Sequence, residues 1–181
     1  SNWTNGIVPG TGDNVTFDPA PLNHCVLDAG RTVNDISNAQ SAYRFDLNGK
    51  TLTLNGSLNF TNSATMDASG NNSKIIFNGN TIQTLPSGAL YDNNARQLEV
   101  RNSSGVRIAG TVNITGSITA TSGTFDALSH NPTLNFTGTT TQSVPHNVFS
   151  SNSISNMGIG NAAGVNIDGD IIVTNNLVVQ A

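Results

Sequence analysis

Apolar residues in this chain occur in closely spaced pairs, and the pairs recur about every six residues. Two apolar residues that flank one polar residue have strand periodicity, because successive side chains of a strand point to opposite faces. Gly110 and Gly116 separate the pairs in GVRIAGTVNITGSITATSG, and glycine suits tight corners. The pattern therefore predicts short strands joined by corners. In this stretch the paired apolar residues are Val106, Ile108, Val112, Ile114, Ile118 and Ala120.

The chain contains an internal repeat, whose period is the distance along the sequence from Phe77 to Phe136. Residues 74–122 align with residues 133–181 without a gap, and twelve of the 49 pairs are identical. A looser third copy lies upstream, where residues 45–67 align with residues 98–122 after one residue is dropped. An internal repeat of this length is typical of stacked repeat architectures.

The repeat and the six-residue spacing together predict the fold. Six residues on each of three sides give a coil of about 18–20 residues, a usual size for β-solenoids. The repeat unit then corresponds to about three coils, and the whole chain to about nine. We predict an all-β chain folded as a parallel β-solenoid, a right-handed β-helix. The alternative is an antiparallel β-sandwich, because short strands with frequent turn signals also suit that class.

One segment of the repeat contains a glutamine that would be a buried polar residue if it faces inward. FNGNTIQTLP begins at Phe77, and FTGTTTQSVP begins at Phe136. We expect both phenylalanines to point inward on the same side of the solenoid. Gln83 and Gln142 are not explained by packing. If they point inward, their amides must bond to neighbouring main chain, because an unpaired buried amide is costly.

The predicted organisation follows from the repeat boundaries. Residues 1–44 form an N-terminal cap and the first coils, and residues 45–181 form the solenoid repeats. The repeat units cover approximately 45–97, 98–156 and 157–181, and the last unit is truncated.

The two ends differ in sequence. Trp3 is expected to cover the open end of the first coil, whereas Val173, Leu177 and Val179 are left as the last apolar rung. An uncovered apolar edge strand is an aggregation hazard. We therefore expect this chain to be the N-terminal piece of a longer protein, so that its partner would be the remainder of that chain or a neighbouring surface protein.

Composition narrows the classes of partner. Only 10% of the residues are charged and the net charge is -4, which disfavours nucleic acid and an anionic membrane as partners. Cys25 is the only cysteine, so an internal disulfide is excluded. The chain has 27 asparagines and 18 glycines. Together these features favour an extracellular or cell-surface protein without membrane insertion.

The repeat resembles a known class of surface protein. The pattern L-x-V-x-N-x-x-G-V-x-I-x-G-x-V, followed by F-x-G-x-x-x-Q-x-x-P, is similar to the β-strand repeats of large bacterial cell-surface and secreted proteins. That resemblance covers about residues 45–181 and implies an adhesin-like or stalk-like role, including at a bacterial outer membrane. The N-terminus, with Trp3, VPGTGDNVTF and CVLD, resembles the start of the eight-glycine extracellular domain. Neither resemblance implies catalytic residues.

Residues with catalytic potential are sparse. Glycoside hydrolysis needs two carboxylates close together, but the ten aspartates do not share a repeat phase, and Glu99 is the only glutamate. The three histidines lack metal-ligand spacing. Arg96, Arg101 and Arg107 could bind an acidic glycan, although a solvated face is the simpler interpretation. We expect no catalytic residue, metal or cofactor.

These observations favour a structural role. We predict a structural or adhesive β-solenoid stalk or spacer within a larger secreted or surface-attached bacterial protein. The alternative is a carbohydrate-binding module, or the non-catalytic part of a polysaccharide-degrading β-helix enzyme. In that case Tyr43 and Tyr91 are the candidate glycan contacts. A polysaccharide lyase or glycoside hydrolase is a more distant alternative.

Overall fold

The computed structural model describes residues 7–17, 24–38, 43–61 and 65–180, and these residues form nineteen strands and no helix. The first nine strands are β1 (Val15–Thr16), β2 (Cys25–Val26), β3 (Arg31–Val33), β4 (Ile36–Asn38), β5 (Arg44–Asp46), β6 (Thr51–Leu54), β7 (Leu58–Phe60), β8 (Thr65–Ala68) and β9 (Lys74–Phe77). The others are β10 (Gln83–Leu85), β11 (Leu90–Val100), β12 (Val106–Ile108), β13 (Thr111–Ala120), β14 (Phe125–Ala127), β15 (Thr133–Phe136), β16 (Gln142–Val144), β17 (Phe149–Ile159), β18 (Val165–Ile167) and β19 (Ile172–Val179).

The strands are stacked as a parallel β-solenoid of about seven turns, as the apolar pattern predicts. Each of the first three turns has three short strands, so that β1, β4 and β7 stack on the first side, β2, β5 and β8 on the second, and β3, β6 and β9 on the third. In later turns the long strands β11, β13 and β17 bend across a corner and cover two sides. Strand β19 begins an eighth turn above β17.

The number of turns is smaller than the nine expected, because many coils are longer than the expected length of about 18–20 residues. The strand partners Val106 and Phe125 on successive turns are close in sequence, whereas the partners Ala127 and Ile154 are much farther apart. The corners explain the difference. Asp92 and Asn93, for example, have positive φ angles of 50° and 60° and form a bend inside β11 that adds residues without adding a side.

The repeat unit occupies eight sides, or two and two-thirds turns. Phe77 is paired with Leu54 below and Val100 above on the third side. Phe136 is paired with Ile114 and Ile159 on the second side. The expectation that both phenylalanines lie on the same side is therefore wrong. Equivalent residues are rotated by one third of a turn, because the repeat is not a whole number of coils long.

The backbone repeats even where the residue type changes. Every residue between 72 and 122 with a positive φ angle has a counterpart one period later that also has a positive φ angle. Asparagine and glycine reach this conformation at low cost, which explains the Gly88/Asn147 exchange. The pairs are Asn72/Asn131, Gly88/Asn147, Asp92/Ser151, Asn93/Asn152, Gly105/Gly164 and Gly110/Gly169.

One apolar core runs through the stack. The inward residue of each strand lies on the inward residue of the turn below, and Phe77, Phe125, Phe136 and Phe149 are among the largest side chains that are fully buried. At the N-terminal end Pro9 lines a small cavity beside Val15, and Val15 is 6% exposed. Trp3, the predicted cap residue, lies outside the described residues. The hand of the solenoid stays a prediction.

Candidate functional site

Gln83 lies where the stack on the first side changes from one sheet to another. Strand β7 ends a three-stranded sheet and β10 begins the next sheet on that side. The Nε2 of Gln83 donates to the carbonyls of Leu54 (3.0 Å) and Gly56 (2.6 Å) in the coil below. Its Oε1 accepts from the N–H of Gly79 (2.8 Å) and from Nδ2 of Asn102 (3.0 Å). The amide, 5% exposed, thus bridges three coils.

Gln142 makes the same contacts one period later, where β16 follows β13 on the third side. Its Nε2 donates to the carbonyls of Ile114 (2.8 Å) and Gly116 (2.9 Å). Its Oε1 accepts from the N–H of Gly138 (2.8 Å) and from Nδ2 of Asn161 (3.0 Å). The side chain is 3% exposed. We call these two groups the Gln brackets: Gly79, Gln83 and Asn102 in the first, and Gly138, Gln142 and Asn161 in the second.

Each bracket uses the full hydrogen-bonding capacity of its glutamine, two donors and two acceptor positions. The prediction that inward amides bond to main chain is confirmed. The asparagine partners Asn102 and Asn161 were not predicted, and they also donate to the carbonyls of Thr81 and Thr140. The available signal was identity between the copies, since all three bracket positions are identical pairs.

A cluster of charged side chains on the outer surface of the third side surrounds one buried carboxylate. Glu99 is only 5% exposed. Its Oε1 accepts from Nε of Arg101 and from the hydroxyl of Thr121 (3.0 Å), and its Oε2 lies 3.3 Å from Nζ of Lys74. The hydrogen bond from Arg101 holds the pKa of Glu99 below its ordinary value, against the opposing effect of burial. Charged hydrogen bonds of this kind fix the outer surface of turns three to five.

The equivalent surface of the second copy is a notch. Gly158 and Gly160 stand at the positions of Glu99 and Arg101, and a cavity of about 230 Å³ opens there. Its walls combine neutral polar groups with an exposed valine, in this case Asn135, Thr137, Val178 and Gln180. Equivalent strand positions thus form an ion cluster in one copy of the repeat and a neutral concave surface in the other.

The two candidate glycan contacts are in different environments. Tyr43 is 8% exposed, and its ring packs 5.0 Å from Phe17, centroid to centroid. Burial raises its pKa to about 12, with a smaller contribution from Cys25. Tyr91 is 39% exposed, and the guanidinium of Arg44 lies 4.8 Å from its ring centroid. Tyr91 therefore presents surface to a ligand, whereas Tyr43 is part of the core; glycan contact stays a prediction for both.

The three arginines have different neighbours. Arg96 donates to the carbonyl of Thr115 (2.6 Å) at a corner, Arg101 belongs to the Glu99 cluster, and Arg107 on the first side is in register with Asp126. Each guanidinium thus has a neighbour of its own rather than a shared one.

Two of the scattered aspartates are brought together by the coil. Asp46 and Asp67 are direct partners on adjacent turns, beside a polar depression of about 340 Å³. The Oδ1 of Asp46 accepts from the N–H of Asn48 (2.7 Å), and that of Asp67 from the N–H of Ser69 (3.1 Å). Each carboxylate therefore closes its own corner. Within the described ranges, no group of three or more His, Cys, Asp or Glu residues could hold a metal ion.

The chain matches no protein-family model, no curated protein and no solved structure. In the part of the chain that the structure describes, no helix is long and apolar enough to span a membrane. The functional interpretation therefore rests on the geometry of the structure alone.

Proposed function

We propose that this chain is a rigid β-solenoid spacer, a structural or adhesive stalk segment of a larger secreted or surface-attached bacterial protein. The observation that carries the proposal is the continuous core of about seven turns, in which both sheet interruptions are bridged by a Gln bracket. A spacer must keep its length under load. Buried hydrogen bonds between coils, surrounded by packed apolar side chains, resist the separation of one turn from the next.

The rod has a definite length to maintain. Coils stack at about 4.8 Å, so seven turns make a rod of roughly 34 Å. The residues from Ile7 to Gln180, fully extended, would reach roughly 600 Å at about 3.5 Å per residue. Stretching the folded rod into a chain therefore gives a large and measurable change in length.

Single-molecule pulling tests the spacer function. With the chain held between two reference domains, we expect a distinct unfolding event that releases roughly 55–60 nm of chain. A Gln83→Ala, Gln142→Ala double variant should unfold at lower force, whereas Gln97→Ala, a substitution of a partly exposed glutamine, should not. A wild-type chain that extends at low force without a distinct event would contradict the proposal.

The second candidate function, carbohydrate binding, is supported by the neutral notch at Gly158 and Gly160 and by the exposed ring of Tyr91. Amides and hydroxyls beside an aliphatic side chain suit an uncharged sugar ring, which has both hydroxyl groups and apolar C–H surface.

A glycan array separates the two functions. A reproducible glycan signal that is lost in Gly160→Arg, which restores the residue of the first copy and fills the notch, would establish binding there. Ser143→Arg on an exposed strand position is the matched control for added charge. Loss of the signal in Tyr91→Ala instead would place the glycan on the tyrosine. Absence of any signal would contradict carbohydrate binding.

A further inference from the structure

The C-terminal end of the solenoid exposes residues that point toward the core axis. Ile167 is 41% exposed, Leu177 is 57% exposed and Val179 is 66% exposed. Their partners in the coil below face inward, since Ile167 pairs with Val144 and Leu177 with Met157, which are 0% and 2% exposed. The exposed residues are therefore core positions without a coil above them. We call Ile167, Leu177 and Val179 the end surface.

The repeat shows what such residues look like when they are covered. Ile108 and Ile118 are the equivalents of Ile167 and Leu177 one unit earlier, and they are 1% and 0% exposed. Residue type and strand position are nearly the same in both copies. The exposure differs because a further coil covers the earlier unit.

The coil that covers the earlier unit has a defined inward pattern. Phe125 of β14 is in register with Val106, and Leu134 and Phe136 of β15 are in register with Val112 and Ile114. On the third side, Gln142 and Val144 of β16 face inward. The hydrogen bonds of the Gln142 amide complete a Gln bracket. The matching coil therefore presents Phe-x-Ala, Leu-x-Phe and Gln-x-Val on its three sides.

Strand β19 also offers main-chain groups for pairing. It is hydrogen-bonded in parallel to β17 on one side, and among the described strands it has no partner on the other. An unpaired strand edge is a template for a further strand. Apolar side chains and free main-chain groups thus lie on the same surface.

The opposite end does not match this surface. Val15, Leu27 and Val33 in the first turn are 6%, 2% and 2% exposed, and Pro9 lines the small cavity beside them. A second copy stacked head to tail would therefore meet an end whose core positions are already covered. This argues against a filament of identical chains and for a partner that presents an uncovered coil.

We propose that the end surface is an elongation surface that binds a β-coil with the inward pattern of residues 123–144. The coil adds parallel strands to the edge of β19 and buries Ile167, Leu177 and Val179 as β14, β15 and β16 bury their equivalents. The proposal does not depend on the spacer function, because it concerns only which structure covers this end.

A tethered graft tests the proposal. A second copy of residues 123–148 is appended directly after residue 181, which keeps the register of the repeat and supplies the coil at high effective concentration. Amide hydrogen exchange in β19 should slow at least about tenfold, and binding of a hydrophobic dye should fall. The matched control is the same graft with Ser at the positions copied from Phe125, Leu134 and Phe136, which should protect nothing.

Equal exchange rates in the two grafted chains would overturn the proposal. So would a dimer of the ungrafted chain, seen by light scattering and dissociated by Leu177→Asp, because the occupant would then be a second copy. Circular dichroism of both grafted chains checks that the solenoid itself is folded. Failure of the graft leaves the pulling result unaffected, so the two proposals fail separately.

Discussion

The two copies of the repeat, residues 74–122 and 133–180, have the same backbone conformation and buried polar contacts but different outward-facing residues. Both copies have the same left-handed backbone positions and the same Gln bracket. At the outer positions, Glu99 and Arg101 of the first copy are replaced by Gly158 and Gly160. The first copy is covered by further coils, whereas the end surface of the second is exposed.

This difference shows which features define the repeat. Core residues, positive-φ corners and buried amides recur because each satisfies a requirement of stacking: apolar burial, an allowed backbone conformation and paired polar groups. Outward residues have no such requirement. They vary between the copies and are the positions at which binding specificity can differ along the rod.

The largest predicted contrast between the copies is in the core. Ile118→Ala should lower the free energy of unfolding by about 2–5 kcal/mol, because it leaves a cavity in a packed interior. Leu177→Ala, the equivalent change on the exposed end surface, should cost less than about 1 kcal/mol. Urea unfolding of both variants measures the difference. Equal losses would mean that the end surface is already covered in solution.

The Gln brackets should show the opposite behaviour, with similar losses in both copies. Gln83→Ala and Gln142→Ala each remove four hydrogen bonds and leave a glycine carbonyl and a glycine N–H without the partner that the glutamine supplies, at a cost of about 2–4 kcal/mol. Gln97→Ala, at a partly exposed position of β11, is the control. Urea unfolding that is unchanged by Gln142→Ala would show that water replaces the second bracket.

The ion cluster should make the first copy sensitive to acid in a way that the second is not. The pKa of Glu99 is lower in the folded chain than its ordinary value of 4.5, chiefly through the hydrogen bond from Arg101. Its contribution to stability is therefore complete above pH 4.5 and is lost as the pH falls through the lowered pKa. Thermal unfolding of Glu99→Gln and wild type should differ at pH 7 and converge in acid, by an amount smaller than either Gln bracket effect.

A Glu99→Gln chain that matches wild type at pH 7 would show that the cluster adds no stability. Asp170→Asn is a suitable control, because Asp170 is an exposed corner carboxylate outside the cluster.

Much of the fold could be predicted because strand periodicity is a local property. The alternation around Val106 and Ile108 identifies inward positions without knowledge of any contact, and the identity of Gln83 and Gln142 marks a shared structural requirement. The placement of Tyr43 could not be predicted, since an aromatic residue beside a strand can face either the core or the solvent. The pairing of Asp46 with Asp67 depends on the length of the intervening coil, which the alternation does not give.

The sequence by itself determined the architecture: an all-β, parallel, repeating coil with inward apolar residues and a fixed period. Only the tertiary structure decided that this period covers eight sides, so that Phe77 and Phe136 face different sides and Glu99 lies between Lys74 and Arg101. The physical reason is that side-chain alternation depends on neighbouring residues, whereas the length of a coil depends on its corners. Corners such as Asp92–Asn93 gain or lose residues without disturbing the strands on either side of them.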